Sequence, residues 1–440
     1  MTNNMKSVRL GNVVVCFCRW SAVLGFLIGV GVQPAWAEGF RNPPEGGASM
    51  GRVGGNIALD EDASAVSRNP ANLVLLPGAE VEVGANIIHS RVKFTSALSG
   101  CTDESEDPWK YLPYVFASVP LKTNQVALGL GISVPFGQSM VWDQEGQFRY
   151  TAPYFSELRV MNINPTLAVK LGDSLCLAVG ADIYASDIDM RQYVSWSQVT
   201  HTPVPDGEVK LQGDGVGIGG NAALTWLIPH DQRVALTYRS PVKVKYDGHF
   251  TVDNIPAMAR ATALPRNDFN TEITFPASVG LGYSIQPISK LKLEADVEWI
   301  GFNSYDDLTL DANGDNPLLH PQGDPTPPTA PLTVKQDWKN AWTAGVGAEY
   351  QLFSELALRA GYLFIQSPIP DDTLAPTLPD NDRHVVSVGL GYKHSHRSVD
   401  LAFMQSFFRN RTISTQSAPY YNGTYAFNAQ IMSVSYGYTF

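Results

Sequence analysis

Strict two-residue alternation is the feature that most constrains the fold of this chain. At the C-terminus one face carries Met432, Val434, Tyr436, Tyr438 and Phe440, and the other carries Ser433, Ser435, Gly437 and Thr439. Successive side chains of a β-strand point to opposite faces, whereas helical faces repeat every 3.6 residues. Residues 126–137 alternate in the same way, with Val126, Leu128, Leu130, Ile132, Val134 and Phe136 on one face. The pattern indicates strands with one face toward hydrocarbon and one toward water.

The number and length of the strands distinguish a membrane barrel from a soluble sandwich. Fourteen segments alternate, at 79–95, 109–121, 124–137, 158–170, 174–195, 206–228, 232–253, 270–286, 290–305, 334–351, 354–369, 381–395, 397–413 and 424–440. Soluble strands usually have roughly five or six residues. Because unpaired backbone groups are not tolerated in lipid, an even number of long strands predicts a closed barrel. We expect an all-β fold, a 14-stranded antiparallel transmembrane β-barrel.

The N-terminus has the pattern of an export signal. Residues 1–37 combine basic Lys6, Arg9 and Arg19, an apolar run and the small-x-small site that ends at Ala37. We therefore expect a signal peptide at 1–37, a mature chain from Glu38 and a place in the outer membrane. Removing three basic residues leaves 28 Lys and Arg against 42 Asp and Glu, a net charge of −14. This charge makes nucleic acid an unsuitable partner.

Residues 39–76 break the alternation and precede the first strand. This segment is rich in Gly, Asn and Ala and is long enough to plug a barrel lumen. A disordered periplasmic tail is the alternative interpretation.

Several blocks in this order resemble the FadL family of outer-membrane transporters for long-chain fatty acids and related hydrocarbons. They are Gly39-Phe40, Glu61-Asp62-Ala63, the run from Val66 to Ala71, the run from Ala235 to Ser240, Ser367-Pro368-Ile369-Pro370 and the run from Pro379 to Arg383. The resemblance covers residues 39–440. It implies a fourteen-stranded barrel at 79–440, plugged by an N-terminal hatch at 38–78.

The resemblance also implies a gate. In the family an Asn-Pro-Ala motif, here Asn69, Pro70 and Ala71, lies where the hatch meets an inward kink of the third strand. That strand here ends with Val134, Pro135, Phe136 and Gly137. Proline cannot donate to a ladder and glycine permits a sharp bend, so a break in pairing is expected there. The alternative is that Pro135 only ends a strand at the rim. An opening would let an apolar solute leave sideways into hydrocarbon.

The resemblance assigns a ligand pocket as well. It receives a phenylalanine near the mature N-terminus, matched by Phe40, and holds a carboxylate with basic residues, matched by Arg191 and by Lys335 or Lys339. Charge-assisted bonds from an Arg and a Lys would suit a fatty acid. The loop 195–210 is shorter than in the founding fatty-acid transporters, which leaves aromatic or aliphatic hydrocarbons as an alternative.

Motifs that are typical of hydrolases, dinucleotide-binding proteins and metal sites occur here without the structural elements that normally surround them. Ser49 lies in a Gly-x-Ser-x-Gly pattern with no strand before it, and Gly215, Gly217 and Gly220 have no βαβ unit around them. His394 and His396 lack a third metal ligand. Asp371, Asp372, Asp380 and Asp382 could bind calcium in an external loop, but a solvated acidic loop is the favoured interpretation.

These observations predict a monomeric, non-enzymatic channel without cofactor or metal. It would admit long-chain fatty acids or similar hydrophobic compounds passively and be surrounded by membrane lipid. A lipid hydrolase that uses Ser49 and a general polar porin are the alternatives from other classes.

Overall fold

The computed structural model describes residues 39–121, 125–260, 264–312 and 331–440. The expected signal peptide and a short turn expected at 122–124 lie outside these ranges. The described residues form a sheet of twenty strand segments. Five strands are each interrupted once and one short segment, Thr102–Glu106, is an addition to the wall, so the barrel has fourteen strands. The predicted fold class is confirmed.

The strands, numbered along the chain, are β1 (Glu80–Ser96), β2 (Trp109–Leu121), β3 (Val126–Trp142), β4 (Phe155–Leu171), β5 (Leu175–Val194), β6 (Gly207–Ile228), β7 (Gln232–Arg239 and Val242–Val252), β8 (Arg266–Phe275 and Ser278–Ile288), β9 (Leu291–Ile300 and Asp307–Ala312), β10 (Leu332–Lys335 and Ala341–Phe353), β11 (Leu356–Ile365), β12 (Arg383–His394), β13 (Arg397–Phe408 and Arg411–Ile413) and β14 (Gly423–Thr439). Short helices are α1 (Gly47–Gly51), α2 (Ala65–Arg68) and α3 (Trp196–Thr200). Turns of 3₁₀ helix are at Pro70–Leu75, Ala257–Ala259, Phe302–Ser304 and Pro419–Tyr421.

Antiparallel pairing of neighbouring strands closes the barrel. The last strand pairs with the first over its whole length, from Glu80 opposite Thr439 to Ser96 opposite Gly423. This pairing removes the free edges that lipid would not tolerate.

The burial pattern has the polarity of a membrane barrel. On β14 the apolar Met432, Val434 and Tyr436 are exposed, whereas Ser433 and Ser435 are buried. A soluble core would reverse this arrangement. The apolar face of each alternating strand is therefore its outer face. Within the described ranges, no helix has the length and apolar character needed to cross a bilayer.

Residues 39–78, called the hatch below, pack against the inner face of the wall. Glu294 on β9 accepts hydrogen bonds from the backbone N–H groups of Ile57, Ala58 and Leu59, and Asp296 accepts one from Asn56. The hatch backbone also approaches wall glycines closely. A Cβ on Gly54 would lie 2.8 Å from the Cα of Gly345, and a Cβ on Gly55 would lie 2.6 Å from the Cα of Gly347. Carboxylates and glycines of the wall together hold an irregular segment that has no ladder of its own.

Candidate ligand site and wall opening

Phe40 is the centre of an aromatic cluster inside the barrel. Its side chain is fully buried. It meets five other rings, with centroids 5.2–5.8 Å away: Phe136, Phe275, Phe302, Tyr305 and Trp338. Most of these contacts are edge-to-face, the geometry that aromatic quadrupoles favour. We call these six residues the aromatic nest.

Trp338 enters the nest from the segment between the two parts of β10. A Cβ on the neighbouring Gly39 would lie 2.4 Å from its ring, so only glycine fits beside it. The Nε1 donor of Trp338 is buried and has no hydrogen-bond partner among the described residues. An unpaired buried donor is costly, and a ligand oxygen could satisfy it.

The third strand has one extra residue at Pro135. Ser133 pairs with Asn162 of β4 and Phe136 pairs with Val160, so β3 advances three residues while β4 advances two. Such a bulge reverses which side chains face inward. The sequence placed Phe136 on the outer face with Ile132, but the structure buries it in the nest, together with Gln138, Met140 and Trp142 further along the lumen side.

The expectation that β3 ends at Gly137 is also wrong, because the strand continues to Trp142. Its pairing with β2, however, stops at Ile132 opposite Val115. Pairing on this side resumes at Val141 and Trp142, which face the short strand Thr102–Glu106. Among the described residues, the ladder between β2 and β3 is therefore open beside the bulge.

Hatch residues 40–42 lie alongside this part of β3 and form hydrogen bonds with it. The backbone N–H of Gly137 donates to Phe40 O at 2.9 Å, and that of Asn42 donates to Pro135 O at 2.9 Å. The Asn42 side-chain amide donates to Val134 O at 2.8 Å. Backbone groups that β2 does not pair are thus satisfied by the hatch.

The Asn-Pro-Ala motif lies against another part of the wall. Asn69 caps the 3₁₀ turn that begins with Pro70, since its Oδ1 accepts from Ala71 N. Its Nδ2 donates to Thr225 of β6 at 2.8 Å and to Ile57 O at 2.7 Å. The motif shapes the hatch, whereas residues 40–42 make the hydrogen bonds to the bulge.

The structure does not bring the predicted cations to Phe40. Arg191 forms a two-bond ion pair with Asp189 and lies over the ring of Phe155. Tyr184 and Met190 of β5 are buried on its inner face, so Arg191, an odd number of residues away, lies on the outer face. Lys335 and Lys339 are about two-thirds exposed and both pair with Asp337. Trp338, between these lysines, is the residue that reaches the nest.

Three arginines that were not singled out from the sequence line cavities beside the nest. Arg41 and Arg68 line three neighbouring cavities, and Arg239 lines two of them. One cavity is also lined by Pro135 and Phe136. Arg239 pairs with Asp182 at 2.6 Å. Arg68 and Arg239 belong to sequence blocks of the family resemblance, which was the available signal.

Ser49 does not have a hydrolase environment. It is fully buried, and its hydroxyl donates to Asp60 Oδ1 at 2.5 Å. Burial raises the pKa of Asp60 to about 7. No histidine is among the hydrogen-bond partners of Ser49 in the described chain. His394 pairs with Glu355, and His396 with a backbone carbonyl.

Comparisons with known proteins agree with this architecture. The chain is 23% identical over 393 residues to the long-chain fatty acid transport protein of Escherichia coli O6:H1, covering 81% of this chain and 84% of the relative. A FadL homologue from Pseudomonas aeruginosa superposes with a TM-score of 0.78 at 20% identity, covering 91% and 99% of the two chains. The toluene transporter TodX of Pseudomonas putida gives 0.69 at 18% identity, covering 91% and 99%.

The family model described as outer membrane protein transport protein (OMPP1/FadL/TodX) matches residues 29–440. Its members are outer-membrane transporters of hydrophobic compounds. This chain belongs to the OMPP1/FadL/TodX family of outer-membrane transport proteins.

Proposed function

We propose that this protein admits long-chain fatty acids or similar hydrophobic compounds passively and releases them sideways through the wall at β3. The observation that carries the proposal is the extra residue at Pro135. This residue directs the Phe136 side chain inward, where it joins the aromatic nest. At the same place β3 is no longer paired with β2. An apolar solute in the nest then lies next to a route into hydrocarbon. We further propose a signal peptide at 1–37, a hatch at 38–78 and a barrel at 79–440.

Deleting Pro135 tests the exit route. The deletion removes one residue before Phe136, so the register of β3 with β4 becomes continuous while Phe136 stays opposite Val160 and keeps its inward direction. The strand β2 can then pair further along β3. We expect uptake of labelled oleate by cells that lack other transporters of this family to fall to the background rate. Pro135→Ala keeps the extra residue and serves as the control. A heat-dependent gel shift would show that both variants still form barrels; normal uptake by the deletion variant would refute the lateral route.

A second candidate ligand is a hydrocarbon without a carboxylate. The observation in its favour is that five aromatic rings surround Phe40, whereas Arg191, Lys335 and Lys339 pair with carboxylates elsewhere. Uptake of oleate and of hexadecane at matched concentrations separates the two. Faster specific uptake of oleate supports fatty acids, and faster uptake of hexadecane supports hydrocarbons.

A further inference from the structure

Arg41 and Arg68 face a common set of cavities in the hatch. One cavity includes Pro135 and Phe136 of the bulge, and another is bounded by apolar side chains such as Leu363 and Met404. Both arginines contribute to each cavity. They therefore lie between an apolar part of the lumen and the opening in the wall.

A single wall carboxylate serves both guanidinium groups. The two Nη atoms of Arg41 each lie 2.8 Å from an oxygen of Glu298, a two-bond pair. Arg68 Nη2 lies 3.7 Å from the same carboxylate. Other charged side chains line the same cavities: Arg239 pairs with Asp182, Glu45 accepts a hydrogen bond from Ser67 at one oxygen, and Asp296 accepts one from the backbone N–H of Asn56.

Most N–H groups of the Arg68 guanidinium have no hydrogen-bond partner among the described residues. Among the described residues its one hydrogen bond joins Nη2 to Asn56 Oδ1 at 3.2 Å, although a guanidinium carries five N–H groups. Its side chain is only 16% exposed, so bulk water does not fully replace the missing partners. A second carboxylate at this point would be stabilised by charge-assisted hydrogen bonds.

We propose that Arg41 and Arg68 form a binding site for the carboxylate of an amphipathic acid. The ligand carboxylate replaces Glu298 as the partner of Arg41. This inference rests on the proposed function and selects carboxylate-bearing ligands over neutral ones. Exchange of one carboxylate for another keeps the Arg41 guanidinium paired, and Arg68 Nη2, 3.7 Å from Glu298, remains beside the carboxylate that Arg41 leaves. A neutral ligand offers no replacement, and separating the buried pair without one is strongly unfavourable.

The position of Arg41 couples this exchange to the opening. Its backbone forms a bridge with Phe136, and its neighbours Phe40 and Asn42 make the hydrogen bonds to β3. When the side chain of Arg41 leaves Glu298, the segment that covers the bulge loses its charged anchor to β9. The ligand that binds Arg41 thereby loosens the cover over its own exit.

The test compares uptake of oleate with uptake of oleyl alcohol, which has the same chain and no charge. Arg41→Gln should lower the oleate-to-alcohol ratio by about tenfold or more, as expected for loss of a charge-assisted bond. Glu298→Gln removes the competing carboxylate, so it should lower the apparent KM for oleate and raise the ratio. Arg233→Gln is the matched control, because Arg233 pairs with hatch residue Glu61 but lines none of these three cavities.

An unchanged ratio in both Arg41→Gln and Glu298→Gln would overturn the site. Equal loss of both ligands in Arg41→Gln, with no change of KM in Glu298→Gln, would show a structural role and overturn it too. Failure of the proposed function is distinct, because the unaltered protein would then take up neither ligand above background.

Discussion

The buried indole N–H of Trp338 is a hydrogen-bond donor that a ligand could use. Its ring completes the aromatic nest, and its Nε1 is a buried donor with no partner among the described residues. No group in the described ranges compensates for the desolvation of this donor, a situation that is typical of binding sites. A ligand that brings an oxygen into the nest would gain the hydrogen bond that the protein leaves open.

Trp338→Phe removes this donor and keeps most of the aromatic surface. We predict that the affinity for oleyl alcohol, whose hydroxyl oxygen is a neutral acceptor, falls by about two- to tenfold, the value of one neutral hydrogen bond, while the melting temperature changes little. Binding can be measured by titration calorimetry in detergent. Trp142→Phe is the control, because Nε1 of Trp142 already donates to Pro376 O at 3.0 Å. Equal affinity of the Trp338 variant and the unaltered protein would contradict the assignment.

Gly54 tests how the hatch is seated. Its φ is +84°, and an added Cβ would lie 2.2 Å from Tyr362 O. We predict that Gly54→Ala lowers the melting temperature measured by heat-dependent gel shift. Gly100 has a similar φ of +69° with nothing within 4 Å of an added Cβ, so Gly100→Ala carries only the backbone cost of about 1–2 kcal/mol. A Gly54 variant as stable as the Gly100 variant would show that the close approach is unimportant.

Among the elements, the loop 366–382 packs against the lumen side of β3. Leu374 and Leu378 are fully buried. Gln138 and Trp142 donate hydrogen bonds to the carbonyls of Thr377 and Pro376, at 2.9 and 3.0 Å. The loop is therefore attached to the same lumen-facing side chains that the bulge turned inward.

Asp380 makes this loop sensitive to pH. Burial raises the pKa of its carboxyl from 3.8 to about 7, although Ser367, Arg383 and Arg411 favour the charged form. A raised acid pKa means that the closed loop binds more protons than the open one between pH 4 and pH 7. Its closure is therefore strongest at low pH and weakens, by at most about tenfold per pH unit, as pH rises to 7.

Hydrogen exchange at the Leu378 amide, which donates to Ala375 O, measures this opening. After correction for intrinsic rates, protection should fall between pH 5 and pH 7. Asp380→Asn should keep the side chain at position 380 uncharged at every pH and abolish the pH dependence. A parallel pH response in the Asn variant would assign the effect to another group.

Alternation was enough to predict the strands but not the direction of every side chain. The fourteen segments follow from local periodicity, because the outer face must be apolar along each strand. The orientation of Phe136 could not be predicted, since the bulge is specified by contacts with hatch residues 40–42, far away in sequence. The orientation of Arg191 could have been predicted. It lies seven residues after the buried Tyr184, and an odd spacing places it on the opposite face.

At the scale of the whole molecule, a closed wall holds a hatch by polar contacts. Glu294 accepts hydrogen bonds from three backbone N–H groups of the hatch. Two ion pairs add to these contacts, one between Glu61 and Lys292 and one between Arg41 and Glu298. These contacts all reach β9. A barrel filled in this way should differ in conductance from an open porin of the same strand number.

We predict little steady ion conductance for the unaltered protein in planar bilayers. Glu294→Ala should increase the frequency of brief openings, because it removes the acceptor for Ile57, Ala58 and Leu59 and leaves three buried N–H groups unpaired. Glu272→Ala removes an acidic side chain that pairs with the exposed Lys243, and it should leave the baseline unchanged. Free conductance of the unaltered protein would indicate a polar porin. Identical traces for the two variants would show that the Glu294 contacts do not hold the hatch in place.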